Sequence, residues 1–538
     1  MRRARTTLRT LAAAGLLVSM ASPPAAADTT ALTNPANETP SVKEFHKGRA
    51  ALATGDLKQA EEALKASLRH DPKNIDAYLA SAELAVRRQD PGKAATLLTT
   101  AKKLASQDAR VHLAWGRYHL RKKLYQEAES AFSKSVSLDP GSLDALMALG
   151  DLRAKELKKP KEAAEAYRAA IKAAPTFWRA RYGLALQQAQ LGALDEAHKE
   201  LAEAGKLSPT NHLPPYTNGV LYLQEKHYET ALSAFNEALE RRSDYVPALL
   251  ARADLYRLGT RQIEKAVENY RAALTHDPKG GRAHLGLGLA LKETGTEREA
   301  LEHLEAASRL MPRSPEPWQE LGELYARQKQ YEAARKAFET ARRADSKSVQ
   351  ALVGSGDIDL AQGRYQSSIA RYADALRLNP QSPLLHVKLG VAHARHRQWR
   401  AAEQMFKKAT ELNPKTAEAW NNLAWIEIER KENLDDAVGW AQKAVDLEPA
   451  RAANHDTLGW AYRARGELTR AAASLKRAAE LDPKDPVIHY HRGVVYGEQQ
   501  KLGEAREALQ HALSLDQTFE GAADARQRLS SLSRAASG

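Results

Sequence analysis

The sequence contains no cysteine. That excludes disulfides, thiolate-bound zinc, iron–sulfur clusters, a thiol nucleophile and a lipid anchor on an N-terminal cysteine. Aromatic residues make up only 6% of the 538 residues. A core must therefore come mainly from aliphatic side chains and alanine. Beyond the N-terminal leader no stretch is apolar enough to span a bilayer, which takes about 20 residues. Charge of one sign is not concentrated anywhere. The 80 Lys+Arg and 67 Asp+Glu are mixed along the chain, so the net charge of +13 is an excess on a mixed surface. That pattern argues against nucleic acid as a partner.

What is present begins with an address. Arg2, Arg3, Arg5 and Arg9 precede the short apolar run Leu11 to Ala21, and Ala25-Ala26-Ala27 precedes Asp28. Positive charge, a short apolar run and small residues, in that order, form a secretory signal at 1–27. Pro23 and Pro24 stop any helical extension into a membrane anchor. Loss of the four arginines leaves a mature chain of +9, expected to be soluble, exported and periplasmic or secreted. Residues 28–40, with Pro35 and Pro40, read as a flexible linker.

One period organises the rest. Pro72, Pro140, Pro175, Pro209, Pro278, Pro312, Pro380, Pro414, Pro449 and Pro483 each follow an alanine-rich helical stretch. Consecutive marks lie 34 or 35 residues apart, or about twice that, with Ser106, Ser243, Ser346 and Gln517 filling the gaps. Fourteen units result, over 41–519. Size repeats in phase with spacing. The eighth residue of each unit, from Gly48, Ala82 and Gly116 to Gly459 and Gly493, is always Gly or Ala. A second position, from Ala60 to Ala505, is Ala or Ser throughout, and so is the one seven residues later. Small residues in these places let two antiparallel helices approach closely. Larger residues such as Trp318, Leu321, Tyr325 and Phe338 form the apolar stripes. Gly55, Gly192, Gly295, Gly363 and Gly466 share one phase just past the first helix, where a left-handed residue ends it. Units near 143, 246 and 417 carry one extra residue, expected in the turn between the two helices.

Trp318, Leu321, Gly322, Tyr325, Ala334, Phe338 and Ala341 resemble the tetratricopeptide repeat (TPR) signature W-x2-L-G-x2-Y…A-x3-F. The resemblance implies an all-α, right-handed superhelical solenoid of about fourteen helix–turn–helix repeats. Residues 520–538 depart from the repeat and read as a polar capping helix, Ala522 to Leu532, with a frayed tail. In that family the first helices line a concave groove. Ligands contact chiefly their second, fifth, ninth and twelfth or thirteenth positions. Carried over, Asn421, Asp456 and Tyr490 fall at position five of three successive units, and Trp425 and Trp460 at position nine of two. The lysine at five and asparagine at nine of the family's carboxylate clamp are absent: the first unit has Phe45 and Arg49.

No segment is left for a catalytic domain, so no enzyme, cofactor or metal is expected. Gly286-Leu287-Gly288 lacks the third glycine of a dinucleotide loop and reads as close helix packing. His386, His393 and His396 sit among Arg395, Arg397 and Arg400, and read as a basic solvated face rather than a metal site. His489 and His491, on either side of Tyr490, read as surface or groove residues. Arg87, Arg121, Lys155, Lys292, Arg327 and Arg395 end first helices, where a cation complements the helix dipole. The implied role is a non-catalytic periplasmic scaffold that binds an envelope protein or peptide in its groove. The alternative is a protein that handles an anionic exopolysaccharide.

Overall fold

The computed structural model describes residues 39–535. The leader at 1–27 and nearly all of the 28–40 linker lie outside the described residues. Every regular element among the described residues is a helix. They form two compact units, one ending at Gly295 and the other starting at Thr296.

Within each unit a helix of mostly 13 residues alternates with one of 14, as in Ala109–Arg121 followed by Tyr125–Leu138. Each packs on its chain neighbours, and first helices of successive repeats also touch. Some starts are capped by short polar side chains: Asn74 accepts from the Ala77 amide at 3.0 Å, and Asp485 from that of Val487 at 2.8 Å. Ends carry the cations expected of them, with Arg121, Lys155 and Arg327 in last turns.

In seven of the fourteen repeats the core is set by large rings on bare backbone, and elsewhere by leucines such as Leu64, Leu475 and Leu509. Phe132, Tyr167, Phe235, Tyr270, Phe338, Tyr372 and Phe406 sit at one position of the second helices and are at most 2% exposed. Gly116 faces Phe132, and a Cβ there would lie 2.3 Å from the ring. The same ring also meets the next repeat. Phe338 fills the space over Gly322 of its own repeat and over Gly354 of the following one. Tyr167 is held likewise between Gly150 and Gly183. Gly286 is a packing glycine, because its Cβ would come within 2.3 Å of Tyr270. The alanines from Ala60 to Ala505 in the second helices are fully buried apart from Ser368, which is buried too. In the repeat starting at Ala417 the filler is only Ala441. There the neighbouring Trp440 packs against the cluster of Ala424, Ala437 and Ala441 instead.

All fourteen first helices end through a left-handed residue. Five use the glycines named above, with φ from +72° to +84°. The others use Lys, Arg or Gln, among them Lys123 (φ +59°), Lys329 (φ +59°) and Arg397 (φ +58°).

The three extra residues are placed in different ways, and only one lies in the turn. Glu156 to Lys159 is a longer turn before Pro160–Ala173. In the repeat from Val246 the extra residue enters the helix end itself as a π-helical turn, Leu255–Thr260. There the Gln262 amide reaches back to the Tyr256 carbonyl at 2.8 Å. In the third, the first helix is lengthened to Ala417–Arg430 and followed by left-handed Lys431 and Asn433.

The final helix, Ala522–Ala535, buries Ala522 and Ala525 beside Leu509 and Phe519. No described helix is long and apolar enough to cross a membrane.

Ring-on-backbone packing makes a prediction of sign. Gly286→Ala gains helix propensity but drives a methyl into the buried Tyr270 ring, and is expected to cost about 1–3 kcal/mol in urea unfolding. Gly439→Ala, with nothing within 4 Å of its Cβ, is expected to stabilise by about 0.5–1 kcal/mol. Equal effects at the two positions would contradict the packing role.

Candidate functional site

Position nine of the first helices shows how the core reaches the surface. Where the second-helix filler is tyrosine, its hydroxyl meets an aspartate at that position. Tyr167 donates to Asp151 at 2.6 Å, Tyr270 to Asp254, and Tyr372 to Asp357. A cation then takes the remaining carboxylate capacity: Lys155 on Asp151 at 3.1 Å, Arg282 on Asp254 at 3.1 Å and Lys388 on Asp357 at 2.6 Å. Burial first, and the carboxylate second, hold these phenols far above their ordinary range, so each donates as a neutral hydroxyl. Where the filler is phenylalanine, position nine carries other residues, such as Arg117 beside Phe132 and Val220 beside Phe235.

A second recurring contact closes the loop before several first helices. The position-four side chain turns back to the loop carbonyl six residues earlier. His112 contacts Ser106 at 2.9 Å, Trp420 donates to Pro414 at 2.9 Å, and His455 and His489 contact Pro449 and Pro483 at 2.9 Å each. Burial lowers the His489 pKa, which favours a neutral ring in this structural bond.

The five residues singled out near the C-terminus all lie in the second unit. Asn421 and Trp425 stand on Ala417–Arg430, Asp456 and Trp460 on Ala452–Ala464, and Tyr490 on Pro486–Glu498. The structure joins two of them, Asp456 and Trp460, through His491. His491 is only 4% exposed. Its Nδ1 lies 2.8 Å from the Asp456 carboxylate, and its ring stacks on Trp460 at 3.9 Å and 21°. Arg463 lies over the same indole at 4.3 Å and is held by a forked bond to Glu498 at 2.6 and 3.0 Å. Trp460 stays partly exposed. Tyr490 points elsewhere. Its hydroxyl donates to Asp524 at 2.9 Å, and burial followed by that carboxylate pushes its pKa up to about 12. Asn421 and Trp425 are half-buried, and the Asn421 amide oxygen has no hydrogen-bond partner.

Two histidine expectations are corrected. His489 and His491 are buried, at 6% and 4%, because the neighbouring helices cover that face. The three histidines of the arginine-rich stretch do not share one solvated face. His386 is 6% exposed and its Nδ1 contacts the Ser382 carbonyl at 2.9 Å, while His393 meets Gln398 and His396 tilts against Tyr365. The sequence does hold a signal for the Asp456–His491 pair. The two are 35 residues apart, one 34-residue period plus one, which sets positions five and six of stacked helices side by side.

Models of the tetratricopeptide repeat match residues 51–116, 113–176, 153–212, 255–315, 319–383, 387–453, 459–500 and 487–519. The chain is a tetratricopeptide repeat protein. Among curated relatives, this TPR protein is 28% identical over 348 residues to the CTR9 homolog of Arabidopsis thaliana, covering 55% of this chain and 31% of that protein. It is 25% identical over 258 residues to the BBSome complex member BBS4 of Bos taurus, covering 48% and 49%. It thus spans less than two thirds of either relative. Similar solved structures include the APC/C Cut9–Hcn1 hetero-tetramer, with 18% identity, 91% and 96% coverage and a TM-score of 0.41. Yeast Tom70 gives 16% identity, 79% and 95% coverage and a TM-score of 0.38. A TPR fold of this kind is a scaffold suited to protein–protein interaction.

Asp456→Ala would leave the buried His491 ring without its partner, at a cost of about 1–3 kcal/mol. The measurement is a double-mutant cycle with His491→Phe, read by urea unfolding followed through tryptophan fluorescence. A coupling energy near zero would mean that the pair does not fix the indole.

Proposed function

We propose that this TPR protein is a non-catalytic, exported periplasmic scaffold. It binds an envelope protein or peptide along the face lined by positions five and nine of its first helices, and supports assembly of an envelope complex. The observation that carries the reading is the immobilised, partly exposed Trp460. His491 and Arg463 fix its ring before any ligand arrives, and Asp456 and Glu498 fix them in turn. A side chain ordered in advance gives contact area without the entropy cost of ordering it on binding. Asn421, Trp425, Asp456, Trp460 and Tyr490 are the proposed binding residues. Export rests on the 1–27 leader.

Protein is favoured over an anionic polysaccharide because the indole is already engaged by an imidazole and a guanidinium. That leaves less open ring for stacking on a sugar, whereas an indole edge and neighbouring hydrogen-bonding groups suit a peptide.

The test is affinity capture from envelope extracts with the mature chain and with Trp425→Ala/Trp460→Ala. Proteins recovered by the first and lost by the second are expected. An identical set from both would reject this face. N-terminal sequencing of the mature protein is expected to start at Asp28. An intact N-terminus in a cytoplasmic fraction would reject export.

A further inference from the structure

Carboxylates on the first helices are almost all spent within the chain. Among the described residues each has a hydrogen-bonding or charged partner except two, Glu418 and Glu429, both on Ala417–Arg430 of the second unit. Glu418 is half-buried and Glu429 is exposed. No cation on this helix or on the first helices either side of it is open to them. Lys388 is held by Asp357 at 2.6 Å, and Arg395 faces Glu520 at 4.0 Å. Arg430 is shared by Glu403 and Glu427, and Arg463 is forked onto Glu498.

Trp425 stands between the two glutamates. It follows Glu418 by seven residues and precedes Glu429 by four, so the three share one helix face. The indole is half-buried. Among the described residues no ring or cation stacks on it and its N–H meets no acceptor. The next repeat shows what an indole at this position takes. At Trp460 the chain itself supplies the whole set: the indole at position nine, the Arg463 guanidinium 4.3 Å over it from position twelve, and the Glu498 carboxylate that holds the guanidinium. In the Trp425 repeat position twelve is Ile428, which is 7% exposed. The indole and the carboxylates are there, and the chain provides no cation to go with them.

We propose that Trp425, Glu418 and Glu429 receive a lysine or arginine side chain, so that the protein bound on the first-helix face presents a basic segment there. This rests on the reading of that face as the binding surface and names the chemistry of its partner. The ammonium or guanidinium lies over the indole and bonds to Glu429 one turn away, while Glu418 takes a second basic side chain of the same segment. An open indole face and free carboxylates attract cations, and they disfavour an acidic segment or an anionic glycan at the same place. The positive net charge of the whole chain repels a basic probe in general, so binding of one reports a local site.

The probe is fluorescein-labelled octalysine, followed by anisotropy against the mature chain. Binding that weakens as salt rises is expected. Glu418→Gln with Glu429→Gln is expected to weaken it about fivefold or more, with the urea unfolding midpoint unchanged. Trp425→Phe is expected to keep more of the binding than Trp425→Leu, because leucine supplies apolar area without a π face. The proposal is overturned if the two glutamine substitutions have no effect, or if Trp425→Leu binds as well as Trp425→Phe. Equal loss on Glu504→Gln with Glu507→Gln, both exposed on the second helix Leu502–Leu515, would also overturn it. So would competition by spermine as strong as that of unlabelled octalysine at equal charge concentration, which would assign the site to free polyamines. Capture from envelope extracts separates this inference from the reading beneath it. Proteins lost with Trp425→Ala/Trp460→Ala but kept by Glu418→Gln/Glu429→Gln would leave the first-helix face standing and overturn the basic segment. An identical set from all three chains would reject the face itself.

Discussion

A ring resting on backbone that has no Cβ is the contact on which seven of the fourteen repeats depend. Phe338 shows why it matters beyond one hairpin. The ring covers Gly322 in its own repeat and Gly354 in the next, so a single side chain fixes both the spacing within a hairpin and the spacing to its neighbour. No repeat can satisfy such a ring alone, and stacking follows from that. The small second-helix positions serve the same end from the other side.

This packing choice propagates outward. A phenylalanine ring ends in the core and asks nothing of the surface. A tyrosine in the same slot carries a hydroxyl to the edge of the core, where it needs an acceptor. The three aspartates at position nine supply it, and each carboxylate then requires a cation. The charge pattern on part of the first-helix face is thus a consequence of what fills the interior. Carboxylates spent on tyrosine hydroxyls and their cations are not free to recruit a partner. This is a reason to look for recognition at Trp460 instead.

The fold was legible in the sequence because steric requirements recur in phase. A glycine forced by a ring at one repeat is forced again at the next, so Gly322, Gly356 and Gly390 announce the architecture without any alignment. The extra residues were legible in number but not in place. A turn, a π-helical end and a longer helix can each absorb one residue, and local sequence does not choose among them. The site was legible only in part. Asp456 and Trp460 follow from their register, but His491 reads as a surface or groove residue from its own helix alone. Its burial is set by the neighbouring repeat, and the only sign of that in the sequence is its place one residue past a full period from Asp456. The closing bonds from His112, Trp420 and His455 are not legible for a related reason. Their acceptors are backbone carbonyls, which leave no mark in a sequence.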